Sequence, residues 1–183
     1  MTKNEMPDER RLIGRAVEGD ANAYGLLYER YLDAIYRYIY FRVGNPSDAE
    51  DLTEEVFVKG WEAITDFKLG PDQNFSAWLY RIAHNLVVDH HRKRRPSIWS
   101  SEQLANEETR SPSVEATARS HRDAENVAQA VQQLNDLEQE VIILRFVEGL
   151  SHKEIASIIG KSEGASRVIQ HRALKSLKAL LST

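Results

Sequence analysis

Apolar side chains recur along this chain at the three- and four-residue spacing of amphipathic helices, with one polar stretch between them. Leu, Ile, Tyr, Phe and Ala follow this spacing over residues 10–95, and the pattern resumes from Ala124. The sequence shows neither the alternation and tight turn of a β-hairpin nor an internal repeat. The pattern therefore predicts an all-α fold.

The polar stretch predicts how the chain is divided into domains. Residues 96–123 contain two prolines and many Ser, Glu and Thr residues, but few large apolar ones. This composition is typical of a linker. We predict two small helical domains, residues 1–95 and 124–183, joined by the polar linker 96–123.

The second predicted domain ends with two short helical patterns separated by a tight turn. Ser151 and Glu154 have the spacing of a capping box, Gly160 is placed to end the first helix, and Ser162 is placed to cap the second. The inward side of the second helix is predicted to comprise Ala165, Ile169, Ala173, Leu177 and Leu180. The pattern predicts a helix-turn-helix whose second helix reads the DNA major groove. An ordinary amphipathic helix pair with a solvated cationic face is the alternative.

The outward side of this second helix supplies the candidate base and phosphate contacts. Arg and Gln match base edges, and Lys suits phosphates. The candidate DNA-binding residues are Ser162, Arg167, Gln170, His171, Arg172 and Lys175.

An acidic helix is predicted in the first domain, beginning where Ser47 and Glu50 have capping-box spacing. Its outward candidates are Asp51, Glu54, Glu55 and Val58. A valine among acids suggests a protein-docking surface, and a solvated acidic helix explains the pattern equally well. A catalytic or metal-binding carboxylate site is disfavoured, because no histidine or second carboxylate motif converges on these acids.

A basic helix follows, predicted from Ala77 to Arg94 with Ser76 as its N-cap. Its outward stripe, with the two residues of the preceding loop that complete the candidate site, comprises Asn74, Phe75, Arg81, Asn85, Val88 and Arg92. Such a set suits contact with the DNA backbone and capture of unstacked bases. The alternative is a solvated basic helix with Phe75 in the core. The adjacent His90 and His91 point to different sides of a helix, so we predict no metal site.

Composition narrows the function classes further. The net charge of −4 argues against nonspecific coating of nucleic acid, while two basic patches, residues 81–95 and 161–178, suit two separate DNA contacts. The chain has no cysteine, which excludes disulfides, thiolate metal sites and a cysteine nucleophile. We expect no cofactor, no membrane span, no secretory signal and a cytoplasmic location.

Three blocks in this order resemble the bacterial RNA polymerase sigma factors of the extracytoplasmic-function group, within the sigma-70 family. Residues 48–61 resemble the family's region 2.2, residues 75–92 resemble regions 2.3 and 2.4, and residues 149–173 resemble region 4.2. The resemblance covers nearly the whole chain. It implies a transcription initiation factor that directs core RNA polymerase to promoters, and not an enzyme.

The resemblance also implies a role for each block. The acidic helix would dock on the clamp of the polymerase β′ subunit, and region 4 would contact the flap of the β subunit. The loop and basic helix would read and open the minus-10 element, with Asn85 and Arg92 at family positions. The helix-turn-helix would read the minus-35 element. Factors of this group are commonly held by an anti-sigma protein.

Two positions depart from the family pattern. Ser166 stands where an apolar residue is usual, so its hydroxyl is expected to bond back to a carbonyl, or the helix to be slightly rotated. Gly60 stands where alanine is usual, at a mild cost to the helix. Two other functions are alternatives: a stand-alone regulator that reads palindromes as a dimer, and an enzyme with an accessory DNA-binding module, which no nucleophile–base pair, glycine-rich phosphate loop or metal spacing supports.

Overall fold

The computed structural model describes residues 9–70, 74–94 and 126–182, and helices account for the regular structure in these ranges. The first domain contains α1 (Glu9–Val17), α2 (Ala21–Val43), α3 (Pro46–Ala63), a 3-10 turn (Ile64–Asp66) and α4 (Phe75–Arg94). The second contains α5, described over residues 126–132, then α6 (Asp136–Ile142), a π-helical turn (Ile143–Val147), α7 (His152–Ile159) and α8 (Glu163–Leu181). The all-α prediction is confirmed. The predicted linker, 96–123, lies outside the described residues.

The long helix α2 is the centre of the first domain and packs against α1, α3 and α4. Its side chains Leu27, Ile35 and Tyr38 are fully buried, and Val56 of α3 and Leu79 of α4 pack in the same core. This packing fixes which faces of α3 and α4 remain at the surface.

The unusual Gly60 is explained by a close approach between α2 and α3. The Tyr24 hydroxyl donates to the Phe57 carbonyl at 2.6 Å, and a Cβ added at Gly60 would lie 2.5 Å from that hydroxyl oxygen. Alanine at this position would therefore displace Tyr24, and the glycine is a packing requirement that outweighs its helix cost.

Two predicted N-caps are wrong, and in both cases an asparagine shortly before the predicted serine caps the helix. Asn45 accepts the Asp48 amide at 3.1 Å, and Pro46 occupies the first turn, where its missing N–H costs nothing. The Ser47–Glu50 capping box is thus not formed. Asn74, rather than Ser76, caps α4, because its side-chain oxygen accepts the Ser76 amide at 2.9 Å.

The predicted helix-turn-helix caps are confirmed in the second domain. Ser151 and Glu154 form the full capping box, and Gly160 ends α7 in the left-handed conformation at φ 65°. Ser162 accepts the Ala165 amide at 3.1 Å and caps α8. Leu144 and Ile155 lie in the core beneath this pair of helices.

The rotation of α8 differs slightly from the predicted one. Ser166 is fully buried, whereas Leu180, predicted to face inward, is 36% exposed. The Ser166 hydroxyl lies 3.0 Å from His152 Nδ1 on α7 rather than bonding to a carbonyl. This bond compensates for burial of the hydroxyl and ties the two helices together.

The two domains are in contact, with α4 against α7 and α2 against α6. Their apolar cores form one continuous cluster. Polar side chains of both domains also meet across this boundary, chiefly around Glu140, which is 2% exposed.

Candidate nucleic-acid and polymerase interfaces

The acidic face of α3 is at the surface, as predicted. Asp51, Glu54, Glu55 and Val58 are all exposed, because Ala49, Leu52, Val56 and Gly60 hold the opposite face in the core. Among the described residues, Asp51 and Glu54 have no ion-pair partner, whereas Glu55 pairs with Lys59 at 3.5 Å. The face can therefore offer unpaired carboxylates to a cationic partner.

Val58 is 57% exposed and has an apolar neighbour one helical turn further along the same helix. Trp61 is partly exposed, with its ring centroid 5.1 Å from that of Tyr24. Trp61 is not among the docking residues predicted from the sequence. Its spacing of three residues from Val58 would have placed both on one face. A tryptophan and a valine bordered by acids have the composition of a protein-docking surface.

The basic stripe of α4 is also at the surface. Arg81, Asn85, Val88 and Arg92 are exposed, while Leu79, Leu86 and Val87 lie in the core on the other side of the helix. Arg92 pairs with Asp89 at 3.0 Å, but both side chains are largely solvated, so the pair is weak and easily exchanged for a phosphate. The stripe combines two cations with one amide and one apolar side chain.

Phe75 is not at this surface, and its assignment as a base-capturing residue requires correction. It is 3% exposed, and its ring centroid lies 5.4–5.6 Å from those of Trp78, Phe67 and Tyr31. Burial of the ring in an aromatic cluster stabilises the folded chain more than exposure of the ring to solvent would. The alternative that placed Phe75 in the core is the one realised.

Asn74 is exposed, but the fold already uses both ends of its amide. The oxygen caps α4, and the Nδ2 donates to Glu154 on α7. Contact with DNA through the N–H that binds Glu154 would require release of Glu154. The pKa of Glu154 reflects these surroundings: burial alone would raise it, but hydrogen bonds from Ser151 and Asn74 leave it below its usual value.

The outward face of α8 carries the second predicted DNA surface. Arg167, His171, Arg172 and Lys175 are exposed and Gln170 is half-buried. Arg167 pairs with Glu163 at 2.5 Å, one turn earlier on the same helix. Ser162 caps the helix and keeps its amide end at the surface. The face can thus approach both base edges and phosphates.

Val168 lies among these polar residues and is not one of the DNA-binding residues predicted from the sequence. It is 51% exposed and lies one turn from His171 and Arg172. Apolar side chains on a reader helix contact thymine methyl groups. Its exposure follows from the rotation of α8 described above, which could not be fixed from the apolar spacing alone.

An apolar groove of about 420 Å³ lies where α5, α6 and the π-helical turn meet α2. It is lined by Phe41, Val127, Val131, Ile142, Ile143 and Val147. Phe146, beside this lining, is 57% exposed. The groove therefore adds an apolar surface to the second domain, with one wall supplied by the first domain.

No group of three or more potential metal ligands is found in the described ranges. Within the same residues, no helix is both long and apolar enough to cross a bilayer.

Two segments of this chain match regions of one protein family. Residues 27–96 match the family described as Sigma-70 region 2, and residues 130–179 match Sigma-70, region 4. The acidic and basic faces of α3 and α4 lie within the first match, and the helix-turn-helix lies within the second.

Curated relatives cover most of the chain. It is 43% identical over 173 residues to the ECF RNA polymerase sigma factor BldN of Streptomyces coelicolor, with 93% of this chain and 64% of BldN aligned. The chain thus spans less than two thirds of BldN. It is 30% identical over 181 residues to the ECF RNA polymerase sigma factor SigW of Bacillus subtilis, covering 94% of this chain and 96% of SigW.

A solved structure also resembles the chain as a whole. It is that of CnrH in complex with the cytosolic domain of CnrY. The match has a TM-score of 0.72 and 28% sequence identity, and it covers 95% of this chain and 97% of CnrH.

Proposed function

This chain belongs to the sigma-70 family of transcription initiation factors, which direct RNA polymerase to promoters, and we propose which of its surfaces perform each step. The exposed face of α3 docks on core polymerase, α4 reads the minus-10 element, and α8 reads the minus-35 element. The observation that carries this assignment is the pairing, in one small domain, of an acidic–apolar face with a separate basic stripe.

The docking face is defined by Asp51, Glu54, Glu55, Val58 and Trp61. We assign it to the clamp of the β′ subunit, as expected from the family resemblance. The carboxylates steer the encounter with a basic surface, while Val58 and Trp61 supply the apolar area that is desolvated on binding.

Strand opening at the minus-10 element requires no catalytic group in this chain. The stripe Arg81, Asn85, Val88 and Arg92 holds the backbone and the unpaired bases, so that binding energy offsets the cost of unstacking. Phe75 contributes indirectly, because the aromatic cluster fixes the start of α4. The relatives are sigma factors rather than enzymes.

The minus-35 element is assigned to α8. Arg167, Gln170 and His171 are placed to read base edges, Val168 to contact thymine methyl groups, and Arg172 and Lys175 to bind phosphates. The apolar groove beside Phe146 is assigned to the flap of the β subunit. We also propose that the protein is located in the cytoplasm, because bacterial transcription takes place there.

An anti-sigma protein is a further proposed partner. CnrH, whose fold this chain shares over 95% of its length, was solved in complex with the cytosolic domain of CnrY. A protein that occupies the surface of α3 would prevent polymerase docking.

Polymerase binding tests the assignment of α3. Asp51→Arg and Val58→Glu should abolish co-elution with core polymerase and transcription from a pool of genomic fragments. Glu18→Arg makes the same change of charge in the turn directly after α1, and Leu26→Glu makes the same apolar-to-acid change on α2. Both control positions are exposed, and both controls should bind normally.

Normal polymerase binding by Asp51→Arg and Val58→Glu would contradict the docking surface. Tight, specific binding of duplex DNA by the free chain, without polymerase association, would favour a stand-alone regulator instead.

A further inference from the structure

The first residue of α7, His152, lies against the inner side of helix α8. Its Nδ1 atom is 3.0 Å from the hydroxyl oxygen of Ser166, which is fully buried. Gln170 follows Ser166 by one helical turn and is half-buried, so it lies at the border between the buried and outward faces of α8. The Gln170 side chain is a second hydrogen-bond partner of the His152 imidazole. One imidazole of α7 thus contacts both a buried serine and a candidate base reader of α8.

The His152 imidazole is neutral at pH 7. Burial, followed by the charges of Arg167 and Arg145, lowers the pKa of His152 below its usual value. The contact with Gln170 and the charge of Glu163 act in the opposite direction, but they are weaker. A neutral imidazole has one N–H donor and one acceptor nitrogen. Its two partners must therefore differ in the role that they play.

These partners assign the proton to one ring nitrogen. The Gln170 contact raises the pKa of His152, so it stabilises the imidazolium, a species that only donates hydrogen bonds. The imidazole therefore donates its N–H to the amide oxygen of Gln170. The Ser166 hydroxyl can donate to the remaining acceptor nitrogen, which is Nδ1. From this arrangement we assign the N–H to Nε2.

An amide that is fixed through its oxygen presents a different edge to DNA from a free amide. A free glutamine pairs with adenine through two bonds, in which its oxygen accepts from N6 and its NH₂ group donates to N7. With its oxygen directed back at α7, Gln170 offers the two N–H donors of its amide to the major groove. The major-groove edge of guanine has two acceptors, N7 and O6. The fixed amide therefore matches guanine better than adenine.

We propose that His152 is a positioning residue, which turns the amide of Gln170 so that it selects guanine over adenine at one base of the minus-35 element. This inference rests on the proposed function, in which α8 reads that element. His152 acts through Gln170 and needs no DNA contact of its own. Ser166 contributes, because its hydroxyl occupies Nδ1 and leaves the N–H of the imidazole to Gln170.

Base preference can be measured with the complete polymerase complex. The full chain is combined with core polymerase and with a promoter library in which the minus-35 element is randomised. Sequencing of the bound fragments then gives the preference at each position. Gln170→Ala should abolish the preference at a single position, which identifies the base that Gln170 reads. The wild-type chain should prefer guanine over adenine at that position by about tenfold.

Two substitutions of His152 separate positioning from packing. Leucine keeps the apolar volume but has no donor, so His152→Leu should lower the preference for guanine over adenine at the Gln170 position by at least about fivefold. The amide N–H of glutamine reaches nearly as far as the imidazole Nε2, so His152→Gln should retain most of the preference. Ser157→Leu, at an exposed position of the same helix, is the control and should leave the preference at every position unchanged.

This readout is independent of how much of each variant folds. Because the bases compete within one pool, a smaller folded fraction lowers the yield of bound fragments but leaves the preference unchanged. Circular dichroism measures the helix content of each variant separately.

Several outcomes would overturn the positioning role of His152. One is an unchanged preference at the Gln170 position in His152→Leu, and another is an equal loss at all positions, which a purely structural contact would give. A wild-type preference for adenine at the Gln170 position would overturn the assigned orientation of the amide. If Gln170→Ala altered no preference, or if the chain failed to bind polymerase, the proposed function would be refuted instead.

Discussion

Phe75 offers the clearest test of how α4 is built, because core packing and base capture predict different results for the same substitution. Phe75 is 3% exposed and contacts three aromatic rings. Burial of a phenyl side chain, together with the cavity left by truncation, makes Phe→Ala cost about 3–5 kcal/mol. Domain stabilities are typically about 5–15 kcal/mol. Phe75→Ala should therefore leave the first domain marginally folded.

Phe75→Leu is the more informative variant. Leucine keeps most of the apolar volume but loses the edge-to-face and tilted ring contacts, each worth about 0.5–1.5 kcal/mol. We expect the free energy of unfolding to fall by about 1–2 kcal/mol, as measured by urea denaturation followed by circular dichroism. Promoter opening, measured by permanganate reactivity of unpaired thymines in the reconstituted polymerase complex, should be near normal at low temperature and fail on warming.

Val88→Ala is the matched contrast on the exposed stripe. Since Val88 lies at the surface, its truncation should change stability by less than about 0.5 kcal/mol while reducing promoter opening at every temperature. If Phe75→Leu kept wild-type stability but lost promoter opening at low temperature, the ring would be a base contact and the core assignment of Phe75 would be refuted.

Three further predictions concern Gly60, His152 and Arg167. Gly60→Ala should lower the free energy of unfolding by about 1–3 kcal/mol through overpacking against Tyr24, and Tyr24→Phe in the same chain should recover part of the loss in a denaturant titration. Burial, followed by the charge of Arg167, lowers the pKa of His152, so the unfolded chain binds more protons there. Stability should therefore fall as the pH drops below about 6.5, and His152→Gln should flatten this dependence in thermal melts from pH 8 to 5. Arg167→Ala should weaken minus-35 recognition by about 1–3 kcal/mol if the residue reads a base. A loss that is uniform across promoter sequences, with a shallower salt dependence, would instead identify a phosphate contact.

Local chemistry explains which parts of the fold could be predicted. The capping box of Ser151 and Glu154 and the left-handed Gly160 depend on residues within one turn, so the helix-turn-helix follows from the sequence. The predictions of Ser47 and Ser76 as N-caps are wrong because each serine competes with an asparagine two residues earlier, and the asparagine caps the helix. At the first of these sites, the proline after Asn45 also fixes the first helical residue.

Tertiary packing decided the remaining features. A phenylalanine can pack in the core or stack on a base, and the sequence does not distinguish the two roles. The ring contacts of Phe75 with Tyr31, Phe67 and Trp78 show that it packs in the core. The contacts of Glu140 with Tyr38 and His84 join residues separated by 102 and 56 positions, so no local pattern marks them. The burial of Ser166 and the exposure of Val168 both follow from a small rotation of α8 that apolar spacing leaves open. The DNA and polymerase contacts of the individual side chains stay predictions.

The contact between the two domains has a consequence at high protein concentration. Because Glu140 lies on the second domain and its partners Tyr38 and His84 lie on the first, one molecule can offer its second domain to the first domain of another copy, which would give a domain-swapped dimer. Because both surfaces belong to one chain, each surface meets the other at a high effective concentration. This concentration is in the millimolar range when the connection is short and flexible, and it is lower when the connection is longer. At ordinary cellular concentrations the contact therefore forms within one chain, and exchange between chains becomes competitive only in concentrated samples such as those used for crystallisation.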